Sequence, residues 1–161
     1  MRDQQFEHLY EEHASGLLGF LVYRTGNRAL AEDILADTFE RVLRSRSRFD
    51  PRRGSAKTWV YSIALNRLRD QMRRQEVERR AIEGVAAGKA TEGAGLDCVD
   101  ERSDLMQAMA KLSEEEREAV ALRYGADLTV PEVARVTGTK LTTAEGRVYR
   151  GLEKLRELLG D

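Results

Sequence analysis

The sequence predicts an all-α fold of two small helical domains joined by a flexible linker. Apolar residues recur at helical spacing over most of the chain, and no segment shows the alternation of a half-buried strand. The helical periodicity stops over one acidic stretch that is rich in glycine and small residues. We therefore expect a first domain over residues 1–80, a linker over 81–103 and a second domain over 104–161.

Composition is typical of a soluble cytoplasmic protein. The chain has 161 residues, of which 41% are hydrophobic and 34% are charged. Its single cysteine, Cys98, rules out an internal disulfide and fits a reducing compartment. The N-terminus has no basic start leading into an apolar core, so we expect no signal peptide. The apolar run at 17–23 is too short to span a bilayer, so we expect no membrane insertion.

The charges are strongly segregated along the chain, although the formal net charge is only −1. Residues 1–40 carry three basic and eight acidic side chains, whereas residues 41–80 carry 13 basic and four acidic ones. A solvated charged surface is the simplest interpretation of the basic segment. Its excess is larger than solubility requires, so we predict a local nucleic-acid-binding surface there.

Two amphipathic helices open the first domain. The first is expected from about residue 6 to 23, and Asn27 is placed to cap the second. Opposite its apolar face, the second helix carries Glu32, Asp33, Asp37 and Glu40. The predicted buried residues of the two helices are Phe6, Leu9, Tyr10, Leu17, Leu18, Leu21, Leu30, Ile34, Leu35, Thr38, Phe39 and Val42.

A third helix follows a loop that contains Pro51 and Gly54, and Ser55 is placed to cap it. We expect this helix over 56–75. Its first half, around Trp59, is apolar on nearly all sides and should be buried, whereas its second half is basic. Trp59, Tyr61 and Tyr149 are expected mainly to pack, the tyrosines with a polar tip.

The second domain is predicted to hold a helix-turn-helix. Capping boxes are expected at Ser113/Glu116, Thr129/Glu132 and Thr142/Glu145, and Gly138 is placed to end the middle helix. The apolar stripe of the last helix is Ala144, Val148, Leu152, Leu155 and Leu159, and the opposite side carries Thr142, Thr143, Gly146 and Arg150.

Two features of the last helix favour DNA binding over a plain helical hairpin. Arg147 lies on its flank, where it can reach a phosphate. A glycine inside a helix lowers the stability of the helix by roughly 1 kcal/mol relative to alanine. The presence of Gly146 therefore requires an explanation, such as close approach of the backbone to DNA. Small polar side chains and arginines suit the major groove.

Three stretches follow one another in the sequence: AEDILADTFERVLR, RFDPRRGSAKTWVYSIALNRLRDQMRR and LSEEEREAVALRYGADLTVPEVARVTGTKLTTAEGRVYRGLEKLR. In this order they resemble the extracytoplasmic-function subfamily of the sigma-70 family of bacterial RNA polymerase sigma factors. The resemblance covers about residues 5–80 and 105–160. It implies a region 2 domain and a region 4 domain, and a protein that binds core RNA polymerase and directs promoter-specific initiation of transcription.

The resemblance also implies roles for particular residues and partners. Region 2 would dock on the clamp helices of the polymerase β′ subunit and melt the −10 promoter element, and region 4 would recognise the −35 element in the major groove. The β flap of the polymerase would be a further contact of the chain. An anti-sigma factor would cover the polymerase-binding surfaces. The implied polymerase-binding residues are Glu32, Asp33, Asp37, Phe39 and Glu40; the −10 residues are Arg46, Arg48, Arg52, Arg53, Lys57, Asn66, Arg67, Arg73 and Arg74; the −35 residues are Lys140, Thr142, Thr143, Glu145, Gly146, Arg147 and Arg150.

This sequence departs from the family pattern at a few positions. Ala56 stands where a phenylalanine is usual after Gly-Ser, and Leu65 stands where arginine is frequent. Glu145 and Gly146 replace the commoner Lys-Ser, which indicates an individual −35 preference. Glu145 could accept a hydrogen bond from a cytosine amine, or it could only cap its helix.

Other classes of function fit the sequence less well. His8 and His13 would point about 140° apart on a helix, which is a poor metal pair, and no phosphate-binding glycine loop occurs, so we expect no catalysis, cofactor or metal. A stand-alone helix-turn-helix regulator would dimerise on a palindromic site and would not need a basic first domain. A module that binds only proteins would leave the basic segment without a purpose.

Overall fold

The computed structural model describes residues 2–85 and 103–160, and within these ranges every regular element is helical. The all-α prediction is confirmed. The glycine-rich part of the predicted linker lies outside the described residues. The helices are α1 Asp3–Thr25, α2 Arg28–Arg44, α3 Ala56–Val85, α4 Ser103–Ala110, α5 Glu114–Val120, α6 Val130–Thr137 and α7 Leu141–Leu159; a short 3-10 turn, Arg46–Arg48, follows α2 and a π-helical turn, Ala121–Gly125, follows α5.

The turns of the first domain form as their residues predict. α1 ends at Gly26, whose φ of 68° is left-handed and therefore suits glycine. The Asn27 side chain accepts a hydrogen bond from the Leu30 amide at 3.1 Å and so caps α2. The Ser55 hydroxyl accepts from the Thr58 amide at 3.1 Å and fixes the start of α3.

The third helix is longer than its apolar periodicity predicts. α3 continues to Val85, so residues 81–85 of the predicted linker are helical. Ion pairs between successive turns accompany this extension: Glu76 lies 3.0 Å from Arg80, and Arg79 bridges Glu76 and Glu83. Such pairs stabilise an exposed helix that has no apolar face to bury.

The core of the first domain lies between α1, α2 and α3. Tyr61 is buried beneath Phe20, with ring centroids 6.0 Å apart, as its expected packing role requires. Tyr10 was expected to be buried but is 45% exposed, although its ring packs edge-on against Phe39. Trp59 is half-buried and stacks on Phe49 at 5.1 Å. The most buried core side chains are Leu17, Phe20, Leu21, Val42, Val60, Leu65 and Leu68.

Two of the predicted capping boxes form in the second domain. Ser113 and Glu116 exchange hydrogen bonds at 3.1 Å and open α5, and Thr129 and Glu132 open α6 in the same way. Gly138 ends α6 with a φ of 72°, as predicted.

The third predicted capping box is wrong. α7 begins at Leu141 with Lys140 as its N-cap residue, so Thr142 and Glu145 both lie inside the helix. The reason is the tight end of α6: the Thr139 amide bonds back to the Ala134 carbonyl at 3.0 Å, and the chain turns into α7 almost at once. Glu145 therefore has no capping role.

The two domains pack against each other. The C-terminal part of α1 contacts the π-helical turn, and α3 contacts α6. The last helix, α7, and the basic part of α3 consequently belong to one surface with a cleft between them, which is lined among others by Arg73 and Arg147.

Candidate nucleic-acid interface

The exposed face of α7 presents most of the predicted −35 residues. Lys140, Thr142, Glu145 and Arg150 are exposed, while the opposite stripe is buried against α5 and α6. Thr143, Gly146 and Arg147 are partly exposed on the same helix. The buried residues of α7 are Ala144, Val148, Gly151 and Leu155.

Glu145 is available to a ligand. It is exposed, it caps nothing, and among the described residues it makes no side-chain hydrogen bond or ion pair. Of the two interpretations that the sequence allows, the capping role is excluded by the helix boundary. An exposed carboxylate on this face can accept from the exocyclic amine of cytosine.

Two glycines in α7 have different surroundings. A Cβ at Gly151 would lie 2.6 Å from Val120 Cγ2, so this glycine is required for the close packing of α7 on α5. A Cβ at Gly146 would meet only the end of the Arg150 side chain, at 2.9 Å, which can move away. Packing among the described residues therefore gives no reason for Gly146, and an external surface that approaches the backbone remains as an explanation.

Tyr149 is a candidate that the sequence reasoning missed. Its side chain was expected to pack, but it is 65% exposed. It lies four residues after Glu145 and three after Gly146, and side chains at these spacings share one helix face. This spacing was the available signal. An exposed aromatic ring at this position can contact a thymine methyl group or a sugar.

Most of the predicted −10 residues are exposed near the start or on the later part of α3. Arg48, Arg53, Asn66 and Arg74 are exposed. Three others are engaged in ion pairs with exposed or partly exposed acids, which DNA phosphates can replace at small cost. These pairs are Arg46 with Asp3 at 3.4 Å, Arg52 with Asp50 at 3.3 Å, and Arg73 with Asp70.

Arg67 is placed differently from its neighbours. Its side chain is only 11% exposed and donates a hydrogen bond to Asp37 of α2, with Asp70 also 3.8 Å away. The structure thus joins a residue predicted to bind the −10 element to one predicted to bind polymerase. In this conformation Arg67 is a link between α2 and α3.

The loop before α3 borders a small cavity of about 210 Å³. Phe49 and Trp59 stack on one side of it, and Arg48 and Arg53 contribute positive charge. Aromatic rings beside basic groups are typical of surfaces that bind an unstacked base. Arg135 of α6 also lines this cavity, because the second domain packs over the loop.

The acidic face of α2 is exposed, as a docking surface requires. Glu32 and Glu40 pair with Arg28 and Arg44, each at 3.3 Å, and Asp33 makes no ion pair among the described residues. Phe39, however, is only 5% exposed, with its ring against Phe6 and Tyr10. Phe39 is therefore a core residue and not part of the exposed face of α2.

Two features of other protein classes are absent from the described residues. In the part of the chain that the structure describes, no cluster of three or more His, Cys, Asp or Glu side chains could hold a metal ion. Over the same ranges, none of the helices combines the length and apolar character that crossing a membrane demands.

Comparisons with known proteins agree with this arrangement. The chain matches the families described as Sigma-70 region 2 over residues 9–77 and Sigma-70, region 4 over residues 102–155. It is 36% identical to RNA polymerase sigma factor CarQ of Myxococcus xanthus, over 97% of this chain and 90% of that protein. It is 30% identical to ECF RNA polymerase sigma factor RpoE of Cereibacter sphaeroides, over 94% and 84%. Among solved structures, the sigma factor RpoE of Bartonella quintana in complex with the anti-sigma factor NepR is similar, with a TM-score of 0.80, 26% identity and coverage of 98% of both chains.

Proposed function

The chain belongs to the extracytoplasmic-function subfamily of the sigma-70 family, and from this premise we propose how its residues divide the work of promoter recognition. It is an RNA polymerase sigma factor that binds core polymerase and promoter DNA in transcription initiation. The proposal concerns which side chains do this and the partners beyond the polymerase.

Region 4, residues 104–161, recognises the −35 element through α7. The observation that carries this assignment is the exposed face of α7, where Glu145 is free of capping and Gly146 has no packing role among the described residues. Glu145 and Tyr149 contact base edges and Gly146 lets the backbone approach the groove. The flanking basic residues Lys140, Arg147 and Arg150 bind phosphates, with Thr142 and Thr143 beside them.

Region 2, residues 1–80, captures the −10 element beside the start of α3. An unstacked base enters the cavity at Phe49 and Trp59, where aromatic contacts offset an unstacking cost of a few kcal/mol. The surrounding arginines and Lys57 hold the strand by its phosphates. Asn66, Arg73 and Arg74 continue this surface along α3.

The acidic face of α2 docks on the polymerase. Asp33 is its most available carboxylate, since it makes no ion pair among the described residues, and Asp37 lies one turn further. Glu32 and Glu40 extend the surface at its two ends. Charged residues at such a rim act mainly on the association rate and on partner choice.

Further parts of the proposal concern regulation and place. An anti-sigma factor binds this chain, as one does in the complex of the Bartonella quintana relative. The chain acts in the cytoplasm and is itself not a catalyst, because the polymerase supplies the chemistry of RNA synthesis.

The test is run-off transcription on genomic DNA with core polymerase, with and without this chain. New start sites are expected that share two spaced elements. The variant D33K/D37K should lose most of this activity, whereas Glu11→Lys, at an exposed carboxylate of α1 with no ion pair among the described residues, should retain it. Unchanged start sites, together with tight dimeric binding to a symmetric duplex, would instead identify a stand-alone regulator.

A further inference from the structure

A buried arginine lies between the two domains. Arg24 is in the last turn of α1, and its side chain is only 2% exposed. Its Nη2 atom lies 3.6 Å from a carboxylate oxygen of Glu118 and 3.9 Å from one of Glu114, both on α5. The Nε and Nη1 atoms have no hydrogen-bond partner among the described residues. Burial lowers the pKa of Arg24, and the nearby carboxylates of Glu118 and Glu114 act in the opposite direction by raising it.

Glu118 joins this arginine to a second one. Its side chain is 10% exposed, and its other carboxylate oxygen accepts a hydrogen bond of 2.8 Å from Arg69 of α3. One carboxylate of region 4 is therefore held by two arginines of region 2, which come from different helices. Met72, next to them on α3, accepts a hydrogen bond from Arg24 at 3.5 Å.

The charge of Glu118 matters more when the domains are packed together than it would if they were apart. A buried charge is tolerated only while it is paired, and removal of its partner is strongly unfavourable. In the packed arrangement Arg24 needs Glu118, because water is excluded from its guanidinium. When the domains separate, water solvates both groups and neither needs the other. The carboxylate thus stabilises the packed arrangement selectively.

We propose that Arg24, Arg69 and Glu118 form an ionic latch that holds regions 2 and 4 in a closed conformation, and that the latch opens before the chain engages promoter DNA. The latch itself follows from these contacts alone. Its effect on promoter binding rests on the proposed function of the residues that the closed conformation covers.

The closed conformation uses or covers several of those residues. Lys57 donates a hydrogen bond to the Asp127 carbonyl of region 4 at 3.4 Å. Arg135 lies over Gly54, its Nη1 atom 3.1 Å from the position of a Cβ there, and it borders the cavity beside Trp59. Arg147 of α7 faces the same cleft as the latch. In the closed conformation the proposed −10 surface of region 2 and the proposed −35 surface of region 4 therefore partly face each other.

The latch can be tested by single-molecule energy transfer in the full chain. Dyes are attached to cysteines that replace Ala29 and Lys111, one exposed position in each domain, in a Cys98→Ser background. Glu118→Gln should lower the ratio of closed to open molecules by about tenfold or more, because the buried Arg24 then keeps only the more distant carboxylate of Glu114, 3.9 Å away. The matched control is Glu115→Gln, at an exposed carboxylate of the same helix that makes no ion pair among the described residues; it should leave the ratio unchanged.

Two further variants separate an ionic latch from simple loss of packing. Arg24→Met should open the chain less than Glu118→Gln does, since Glu118 keeps its bond to Arg69. R24M/E118Q should close again towards the wild-type ratio, because no buried charge is left unpaired. The latch would be overturned if Glu118→Gln and Glu115→Gln had the same ratio of closed to open molecules. It would also be overturned if R24M/E118Q were as open as Glu118→Gln.

Folding and function are checked separately. If circular dichroism shows that Glu118→Gln is unfolded, Arg69→Gln, at a side chain that is 40% exposed, should shift the ratio in the same direction by a smaller factor, and no shift would overturn the latch. Glu118→Gln should associate with a fluorescent fragment of forked promoter DNA faster than wild type does, in proportion to its open fraction. An open variant with an unchanged association rate would refute the inhibitory role alone, whereas a wild-type chain that ignores polymerase would refute the proposed function.

Discussion

Replacement of Glu145 by glutamine tests the role of the recognition helix most directly. The change removes one negative charge and keeps the size and shape of the side chain. Glu145 is exposed, lies inside α7 rather than at its cap, and makes no side-chain hydrogen bond or ion pair among the described residues. Substitutions at such surface sites change the free energy of unfolding by about 0.5 kcal/mol or less.

The expected effect on promoter choice is larger than the effect on stability. A side chain that contacts a base edge contributes about 1–3 kcal/mol of discrimination, which corresponds to roughly 5- to 150-fold between preferred and disfavoured bases. Glutamine favours adenine where glutamate accepts from cytosine. We therefore expect one position of the −35 element to change its preferred base while the −10 element is unaffected.

The assay is in vitro transcription by the reconstituted holoenzyme from a promoter library randomised over the −35 element, with sequencing of the transcripts. Thermal unfolding of the same protein gives the stability. Glu157→Gln is the matched control, because it removes an exposed carboxylate from the last turns of the same helix. A loss of about 1 kcal/mol of stability with an unchanged −35 preference would show that Glu145 is structural and that the helix boundary has been misjudged.

Four other predictions follow from individual contacts. Gly146→Ala should raise the stability of the chain by roughly 1 kcal/mol in thermal unfolding, because an added Cβ meets only the end of Arg150, and it should weaken binding of the holoenzyme to the −35 element. Gly151→Ala should instead lower the free energy of unfolding by about 1–3 kcal/mol, since its Cβ would lie 2.6 Å from Val120 Cγ2. Tyr149→Ala should reduce transcription from −35-dependent promoters with little change in the unfolding midpoint, because the side chain is 65% exposed. Burial raises the pKa of Tyr61 to about 12, so the unfolded chain ionises this group first and stability should fall as pH rises from about 10 towards 12; Tyr61→Phe should flatten this part of the pH–stability curve.

Local signals predicted the helices and most of their ends. Asn27, Ser55, Gly138 and the capping boxes at Ser113 and Thr129 act within three or four residues of themselves, so the sequence is sufficient to place them. The prediction of a capping box at Thr142 was wrong, although this pattern is also local. The hydrogen bond from the Thr139 amide back to α6 starts α7 earlier than the capping pattern indicates.

Exposure and pairing were less predictable for the candidate site. Periodicity identified Ala144, Val148 and Leu155 as buried and placed the proposed contacts of α7 opposite them, but Leu159 of the same stripe is 46% exposed. Tyr149 was expected to pack and is 65% exposed, although its spacing from Glu145 already placed it on the outer face. The family resemblance assigned Phe39 to the docking surface, whereas periodicity had placed it among the buried residues, and aromatic rings from α1 do bury it. These outcomes depend on side chains that are distant in sequence.

The sequence by itself determined the all-α architecture and a local nucleic-acid-binding surface, because helical periodicity, capping and segregated charge are properties of neighbouring residues. Its resemblance to a known family supplied regions 2 and 4 and the polymerase as a partner. Only the tertiary structure decided how the regions meet. The contact of Arg24 with Glu118 and the bond of Arg67 to Asp37 join residues far apart along the chain. Their strength comes from exclusion of water, which arises only when the helices pack.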